Sequence, residues 1–504
     1  MITKCNMRNI KNKLKSLFAA AVLLGVSQYA QAQAVGTPYI VPIEQGIPFS
    51  FLAGGTIAKH NTNDVQQTPD GGYITIGTTD DSGSGDITGT NHGGDDVWVV
   101  KYDQYGKKEW NRLYGGSSFD HGHAIIPTTD GGYIFTATVN TSGMSISPGT
   151  GDVMAYPTNH ALAEIWVVKL NAAGNIMWQR LYGGNGADIG RTILQLTDGS
   201  YIVGGMTSSS ASGDITGTTV GGDLWVFRIT STGNIIWQQI YNGPGPNGAN
   251  DFLDSLVATS DGTGYILGGR SFSNYRSTGG QDFSIMKISL TGGLEWQKLY
   301  GTAGLDQCFS AYPTSDGGSI IAGISNGSAT GDTTLTNHGG NDMWIIKLNS
   351  LGNIEWQRLL GGAGNDNAHS VVQTVDGGFM LAGSSQPSSA GNGDITALSK
   401  GGIDVCIFKL SADGSIEWQR LYGGPGIEGD NGLLTYTRDT EFHPTELRKT
   451  ADGDYIIFTL STSDNSADVT DTKNGSGAAR YNIWLFKIDP MGNIVEVPDV
   501  GQKD

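Results

Sequence analysis

The sequence predicts an all-β fold, a seven-bladed β-propeller of four-stranded antiparallel blades, on three observations. An Asp-Gly turn recurs seven times, at Asp70, Asp130, Asp198, Asp261, Asp316, Asp376 and Asp452. All eleven tryptophans fall into one register within that repeat. A strand-like stretch at residues 46–55 has no blade of its own, while the last repeat lacks a final strand.

The turns are 60, 68, 63, 55, 60 and 76 residues apart, so one unit of about sixty residues has been copied along the chain. Glycine makes up 77 of 504 residues, about twice its usual share, but these glycines fall in register, which points to repeated turns rather than disorder. Each unit reads as four strands. An apolar stretch leads into the Asp-Gly turn (Ala124 to Thr128) and a second strand leaves it (Tyr73 to Gly77). Asp-Gly flanked by β-formers is a hairpin signal because glycine accepts positive φ. A polar loop follows, often Gly-Asp-Ile-Thr, as at 85–88, 213–216 and 393–396.

The third strand runs Asp-x-Trp-Val-Val-Lys-Leu or close to it, and a Gly-Asn-Ile turn then leads into Trp-Gln-Arg-Leu-Tyr-Gly-Gly. The two tryptophans lie twelve residues apart at 98/110, 166/178, 225/237 and 344/356. Ser284 and Cys406 replace the first of them in two other copies, which assigns Cys406 a buried apolar role. A single four-stranded unit exposes both faces, and stacking copies around an axis buries them. The register of the tryptophans therefore predicts packing between blades rather than a sugar-binding surface. In the seventh copy Glu496 stands where the second Trp is expected. Residues 46–55 are predicted to supply the missing strand and close the ring, which removes exposed sheet edges.

The N-terminus predicts export. Lys4, Arg8, Lys11, Lys13 and Lys15 precede an apolar run, Leu17 to Val26, followed by Ala-x-Ala sites at residues 30–34. This reads as a signal peptide over residues 1–34, with a single propeller domain over 35–504. The expected location is extracellular, cell-surface or periplasmic, without membrane insertion. Losing five basic residues leaves 25 basic against 48 acidic, about −23. Such a surface repels phosphate backbones and argues against nucleic acid as a partner. Two remaining cysteines, Cys308 and Cys406, cannot staple a chain of this length.

The succession Gly-Gly-x-Gly-x-Asp, Asp-Gly-Gly-Tyr-Ile, Asp-x-Trp-Val-Val-Lys-Leu and Gly-Asn-Ile-x-Trp-Gln-Arg-Leu-Tyr-Gly-Gly resembles the SBBP repeat, a seven-bladed β-propeller repeat family, and secreted repeat proteins of Bacteroidetes. The resemblance spans residues 46 to 494 and implies architecture. It brings no catalytic residues.

Several strings imitate sites. Residues 183–188 and 361–366 match the opening of a calcium-binding nonapeptide, but that motif needs copies nine residues apart. Gly243-x-Gly245-x-x-Gly248 opens no helix, and Gly323 to Gly327 lies between strands. His92 and His338 sit in matching Asn-His-Gly-Gly loops of distant blades.

A repeated acid carries more weight. Asp120, Asp188, Asp251, Asp306 and Asp366 each precede the turn Asp by ten residues, while blade one has His60 there and blade seven Phe442. Either they form a carboxylate ring for a cation such as calcium at the channel mouth, or each caps its own loop. Capping is the favoured reading, and it extends to Asp86, Asp152, Asp214, Asp332 and Asp394 of the Gly-Asp-x-Thr-type loops. The repeat itself breaks at residues 140–163 and 427–446, on the face shared by the long loops and in blades flanking blade one. That sector, with Tyr156, His160, Tyr436, Arg438 and His443, is the expected binding site. No catalytic constellation is recognised. The expected function is a non-enzymatic module, monomeric unless assembled with a partner, that binds an extracellular protein or glycan, with a lectin-like propeller or a polysaccharide hydrolase or lyase with acids at the channel mouth as alternatives.

Overall fold

The computed structural model describes residues 46–54, 60–140, 151–153, 162–243, 250–272, 280–429, 445–471 and 481–498. The signal segment and Tyr156, His160, Tyr436, Arg438, Phe442 and His443 lie outside the described residues. Among those described, no helix is long and apolar enough to cross a membrane.

Seven four-stranded antiparallel sheets form the blades. Six take four consecutive strands each. Blade six, for instance, is Asp366–Gln373, Phe379–Ser385, Asp404–Leu410 and Ile416–Tyr422. Blade seven takes Thr445–Lys449, Tyr455–Ser461 and Asn482–Ile488, and its fourth strand is Ser50–Ala53. The register runs Ser50↔Phe486 to Ala53↔Ile483, as the stray N-terminal strand predicts. Ile47–Pro48 also pairs with Glu496–Val497, so the first and last described segments are held together in a sheet. First strands touch first strands in a closed cycle, with that of blade seven against that of blade one.

The turns form for the reason expected of them. At Asp130 the carboxylate Oδ1 accepts from the Thr128 hydroxyl (2.5 Å) and the Gly132 amide (3.1 Å), while Gly131 adopts φ +83°. The core lies between blades. One apolar cluster joins Ile74, Ile76, Val97 and Val99 of blade one to Phe135, Trp166 and Val168 of blade two. Trp98, Trp166, Trp225, Trp344 and Trp484 are all buried, and Cys406 takes the same place fully buried. The tryptophans of the fourth strands are half-buried and pack on the next blade, as Trp110 does. A blade therefore obtains its core from its neighbour, and burial at about 25 cal/mol per Å² is gained only by the assembled ring.

Candidate functional site

The two ends of each blade are built differently. At the turn end of blades one, five and six, a third-strand lysine is clamped between the turn Asp and a fourth-strand Glu. Lys347 Nζ lies 2.8 Å from both Asp316 and Glu355, and Lys409 lies 3.0 Å from Asp376 and 3.1 Å from Glu417. Burial raises the Asp316 pKa, but hydrogen bonds from Lys347, Thr314 and the Gly318 amide outweigh it and bring it to about 2.

At the other end lie the long loops and the blade-to-blade connections, and the repeated acids gather there. Asp120, Asp188, Asp251, Asp306 and Asp366 open first strands and are at most 1% exposed. Each accepts a hydrogen bond from the amide at or near the start of its connecting loop: Gly116 (2.7 Å), Gly184 (2.8 Å), Gly243 (2.7 Å), Thr302 (2.6 Å) and Gly362 (2.8 Å). Serine hydroxyls add to this, with Ser209 donating to Asp188 and Ser389 to Asp366, both at 2.8 Å. These contacts bury the five aspartates inside loop caps.

In blade seven the acid is Glu428, whose Oε2 accepts from the Gly424 amide at 3.0 Å and whose Oε1 accepts from Ser461 at 2.9 Å. Phe442, expected there by its offset from the turn, is therefore not the equivalent. Glu428 was legible in Gly423-Gly-Pro-Gly-Ile-Glu, counted from the glycines instead of across the insertion.

The Gly-Asp-x-Thr loops cap the same connections. Asp214, Asp332 and Asp394 each accept from the amide of the first glycine (Gly183, 3.3 Å; Gly301, 3.0 Å; Gly361, 3.4 Å), and Asp86 does so for Gly54 (3.1 Å). The Asp152 amide donates to Gly115 O at 2.8 Å. Asp468 repeats the carboxylate contact with Gly423 at 3.1 Å, from a Ser-Ala-Asp-Val-Thr variant that hides the motif.

A second acid meets each first-strand acid across the blade junction, and sequence reasoning assigned it no role. It opens the third strand of the preceding blade: Asp96, Glu164, Asp223, Asp282, Asp342 and Asp404, all at most 2% exposed. His92 and His338 do not converge. Each holds its own third-strand acid, with Nδ1 at 2.9 Å from Asp96 and Asp342 respectively, and His338 Nε2 lies 3.8 Å from Asp394. Lys400 replaces histidine in blade six, its amide donating to Asp404 at 2.9 Å and its Nζ lying 3.5 Å from Asp468.

Burial pushes the Asp120 pKa to about 7, with the Asp96 charge adding to it and the Gly116 amide and the nearby histidines opposing it. Burial also lifts Asp251 and Asp404 to about 6, with Asp223 and Glu428 contributing in turn.

Beside the fifth junction runs an open groove lined by Leu335, His338, Arg358, Leu359, Asp394 and Ile416. Arg358 is occupied there by the carbonyls of Gly414 (3.0 Å), Asp413 (2.8 Å) and Gln357 (2.8 Å). Among the described residues no group of three or more His, Cys, Asp or Glu side chains is arranged to hold a metal ion.

The arrangement defines a seven-bladed β-propeller closed by its own N-terminal strand. No protein-family model and no curated protein matches the chain, so the likeness to SBBP repeats rests on its motifs. Among solved structures, 175 chains are similar. One is a protein of unknown function from Bacteroides caccae, 10% identical over 75% of this chain and 94% of that one, with a TM-score of 0.35. Another, of unknown function from Dyadobacter fermentans, is 11% identical over 74% and 95%, with a TM-score of 0.41. The β-propeller domain of the Trilobed protease from Pyrococcus furiosus is 9% identical over 88% and 99%, with a TM-score of 0.39. Similarities this distant carry no argument about substrate, partner or reaction.

Proposed function

We propose that the protein is an exported, non-enzymatic interaction module whose loop ends bind an extracellular protein or a surface component. The observation that carries this reading is the contrast between the ends of the blades. The turn end repeats an ion-paired third-strand Lys or Arg in all seven blades, with the partner acids varying, whereas the loop end breaks the repeat at residues 140–163 and 427–446, in the two blades that flank blade one. A scaffold with capped, buried connections can carry variable loops without losing its core. The repeated acids are enclosed as caps, which favours binding over hydrolysis, because a catalytic pair must reach its substrate.

The test replaces residues 430–444 with a short Gly-Ser linker, leaving Glu428 and the strand Thr445–Lys449 in place. Binding to envelope and medium fractions of the native organism is then compared with the intact mature domain, with and without calcium. Loss of one partner from the loop variant, with its melting temperature unchanged, is the expected result. Retention of every partner by the variant would remove the sector from consideration. Binding confined to a glycan array would move the reading to a lectin-like propeller.

A further inference from the structure

The junction acids do more than cap loops. At four junctions a carboxyl group from each of two neighbouring blades faces the space beside one glycine. A Cβ on Gly115 would stand 2.3 Å from Asp96 Oδ1 and 2.9 Å from Asp120 Oδ2. On Gly361 it would stand 2.4 Å from Asp342 Oδ1 and 3.1 Å from Asp366 Oδ2, and on Gly423 it would stand 2.5 Å from both Asp404 Oδ1 and Glu428 Oε2. Gly183 holds the same relation to Glu164 and Asp188. The glycine thus allows two acids to approach where any side chain would separate them.

These groups are buried, and Oδ1 of Asp96, Asp120, Asp342, Asp366 and Asp404 has no hydrogen-bond partner among the described residues. Two ionised carboxylates enclosed this closely repel each other and forgo hydration, which is strongly unfavourable unless one is neutralised. Calcium takes six to eight oxygens, whereas the Oδ2 atoms of Asp342 and Asp366 already accept from the amides of His338 and Gly362. A proton needs a single oxygen, and Asp342 Oδ1, which shares the space beside Gly361 with Asp366 Oδ2, has no other partner among the described residues.

The seventh junction supplies an independent observation. There the third-strand acid is Asn482 and the position opening the first strand of blade one is His60, so both acids are replaced at once. The Asn482 amide has no hydrogen-bond partner among the described residues, and this seam has no carboxyl pair at these positions to titrate.

We propose that neighbouring blades share a proton between paired carboxyl groups at these junctions, so that the loop-end seams hold firmly in mild acid and loosen as the pH rises. The charged groups facing each pair are few. His92, Asp152 and His121 face the first, His338 and Asp394 the fifth, and Lys400 and Asp468 the sixth. Burial raises both members of the first and fifth pairs, Asp96 with Asp120 and Asp342 with Asp366. An acid that holds its proton more tightly when folded contributes stability fully present below the unfolded carboxyl range, near 4, and lost as pH rises through the folded values of about 6 to 7.

The experiment is thermal unfolding from pH 5 to pH 8. It uses a Glu446→Gln background, because Glu446, buried beside Arg448 and Asp64, titrates at about 7 as well. The expected result is a melting temperature that falls over this range in the parent. The combined variant Asp96→Asn, Asp342→Asn, Asp404→Asn should lose most of that fall and melt above the parent at pH 8. A parent whose melting temperature is flat from pH 5 to 8 overturns the proposal, as does a variant destabilised equally at both ends. Calcium that restores the parent at pH 8 but not the variant overturns it in favour of a cation. Should the variant not fold, infrared spectra of the parent decide, since a protonated-carboxyl C=O band must be present at pH 5 and gone at pH 8.

Discussion

Two glycines of the same repeat are required for different physical reasons, and the difference can be measured. Gly317 follows a turn Asp with φ +85° and has nothing within 4 Å of a would-be Cβ. Its constraint lies in the backbone, so Gly317→Ala should cost about 1 kcal/mol, and Gly317→Asn less, because Asn tolerates the left-handed region. Gly361 has no such φ, but its Cβ would meet the carboxylates of Asp342 and Asp366. Gly361→Ala should therefore cost about 2 kcal/mol or more, with no rescue by Asn. Denaturant unfolding of the four variants checks both expectations, and equal costs at the two sites would contradict the steric account. Composition had already marked glycine as structural, but only the three-dimensional arrangement separates these roles. The same limit explains Glu428. Its motif was present in the sequence, yet an insertion displaced it from the turn by which the repeat was counted.

Along the third strand, the lysine of Asp-x-Trp-Val-Val-Lys-Leu has no role assigned by the repeat pattern. The structure instead buries it: Lys347 is 4% exposed, held between Asp316 and Glu355, and the same clamp recurs at Lys101 with Asp70 and Glu109. The partners come from the turn before the second strand and from the fourth strand, so the pairing crosses three strands and no local pattern announces it. Because Asp316 and Glu355 are themselves half-exposed, water screens much of the attraction. Lys347→Met, which keeps the buried stem, should cost only about 0.5–1 kcal/mol at pH 7. It should also let the Asp316 pKa climb from about 2 toward the ordinary aspartate range. Asp316 therefore stabilises the fold above pH 4, and its contribution is lost as pH falls through about 2. Carboxyl chemical shifts followed during acid titration would read this directly. An unmoved Asp316 midpoint in the variant would leave the turn hydrogen bonds as the whole cause. Strand order and turn positions were thus legible from β-formers and Asp-Gly spacing, while the charges that tie the strands together were not.

For the whole molecule, the decisive feature is that a ring must close. Closure could be read from the sequence because it is a matter of arithmetic: one repeat lacks a strand and one strand lacks a repeat. The structure adds the chemistry of that joint. Phe49 is fully buried and Leu52 is 7% exposed, Trp484 Nε1 donates to Ser50 Oγ at 2.9 Å, and Arg448 of blade seven lies 3.0 Å from Asp64 of blade one. Removing residues 46–54 would expose the edge of Asn482–Ile488 and withdraw two large apolar side chains, a loss of about 3–6 kcal/mol from those side chains alone. Neighbouring blades share their cores, so the loss should spread to both partners of blade seven, giving a lower and broader melting transition. A synthetic peptide of residues 46–54 supplied to the truncated chain should raise its melting temperature in proportion to the logarithm of peptide concentration, since it binds the folded ring and not the unfolded chain. The same peptide with Phe49→Ala and Leu52→Ala should not. A truncated chain that melts like the intact one would mean that blade seven stands on three strands, and that the ring is held by the Asp64–Arg448 contact and the first-strand cycle instead.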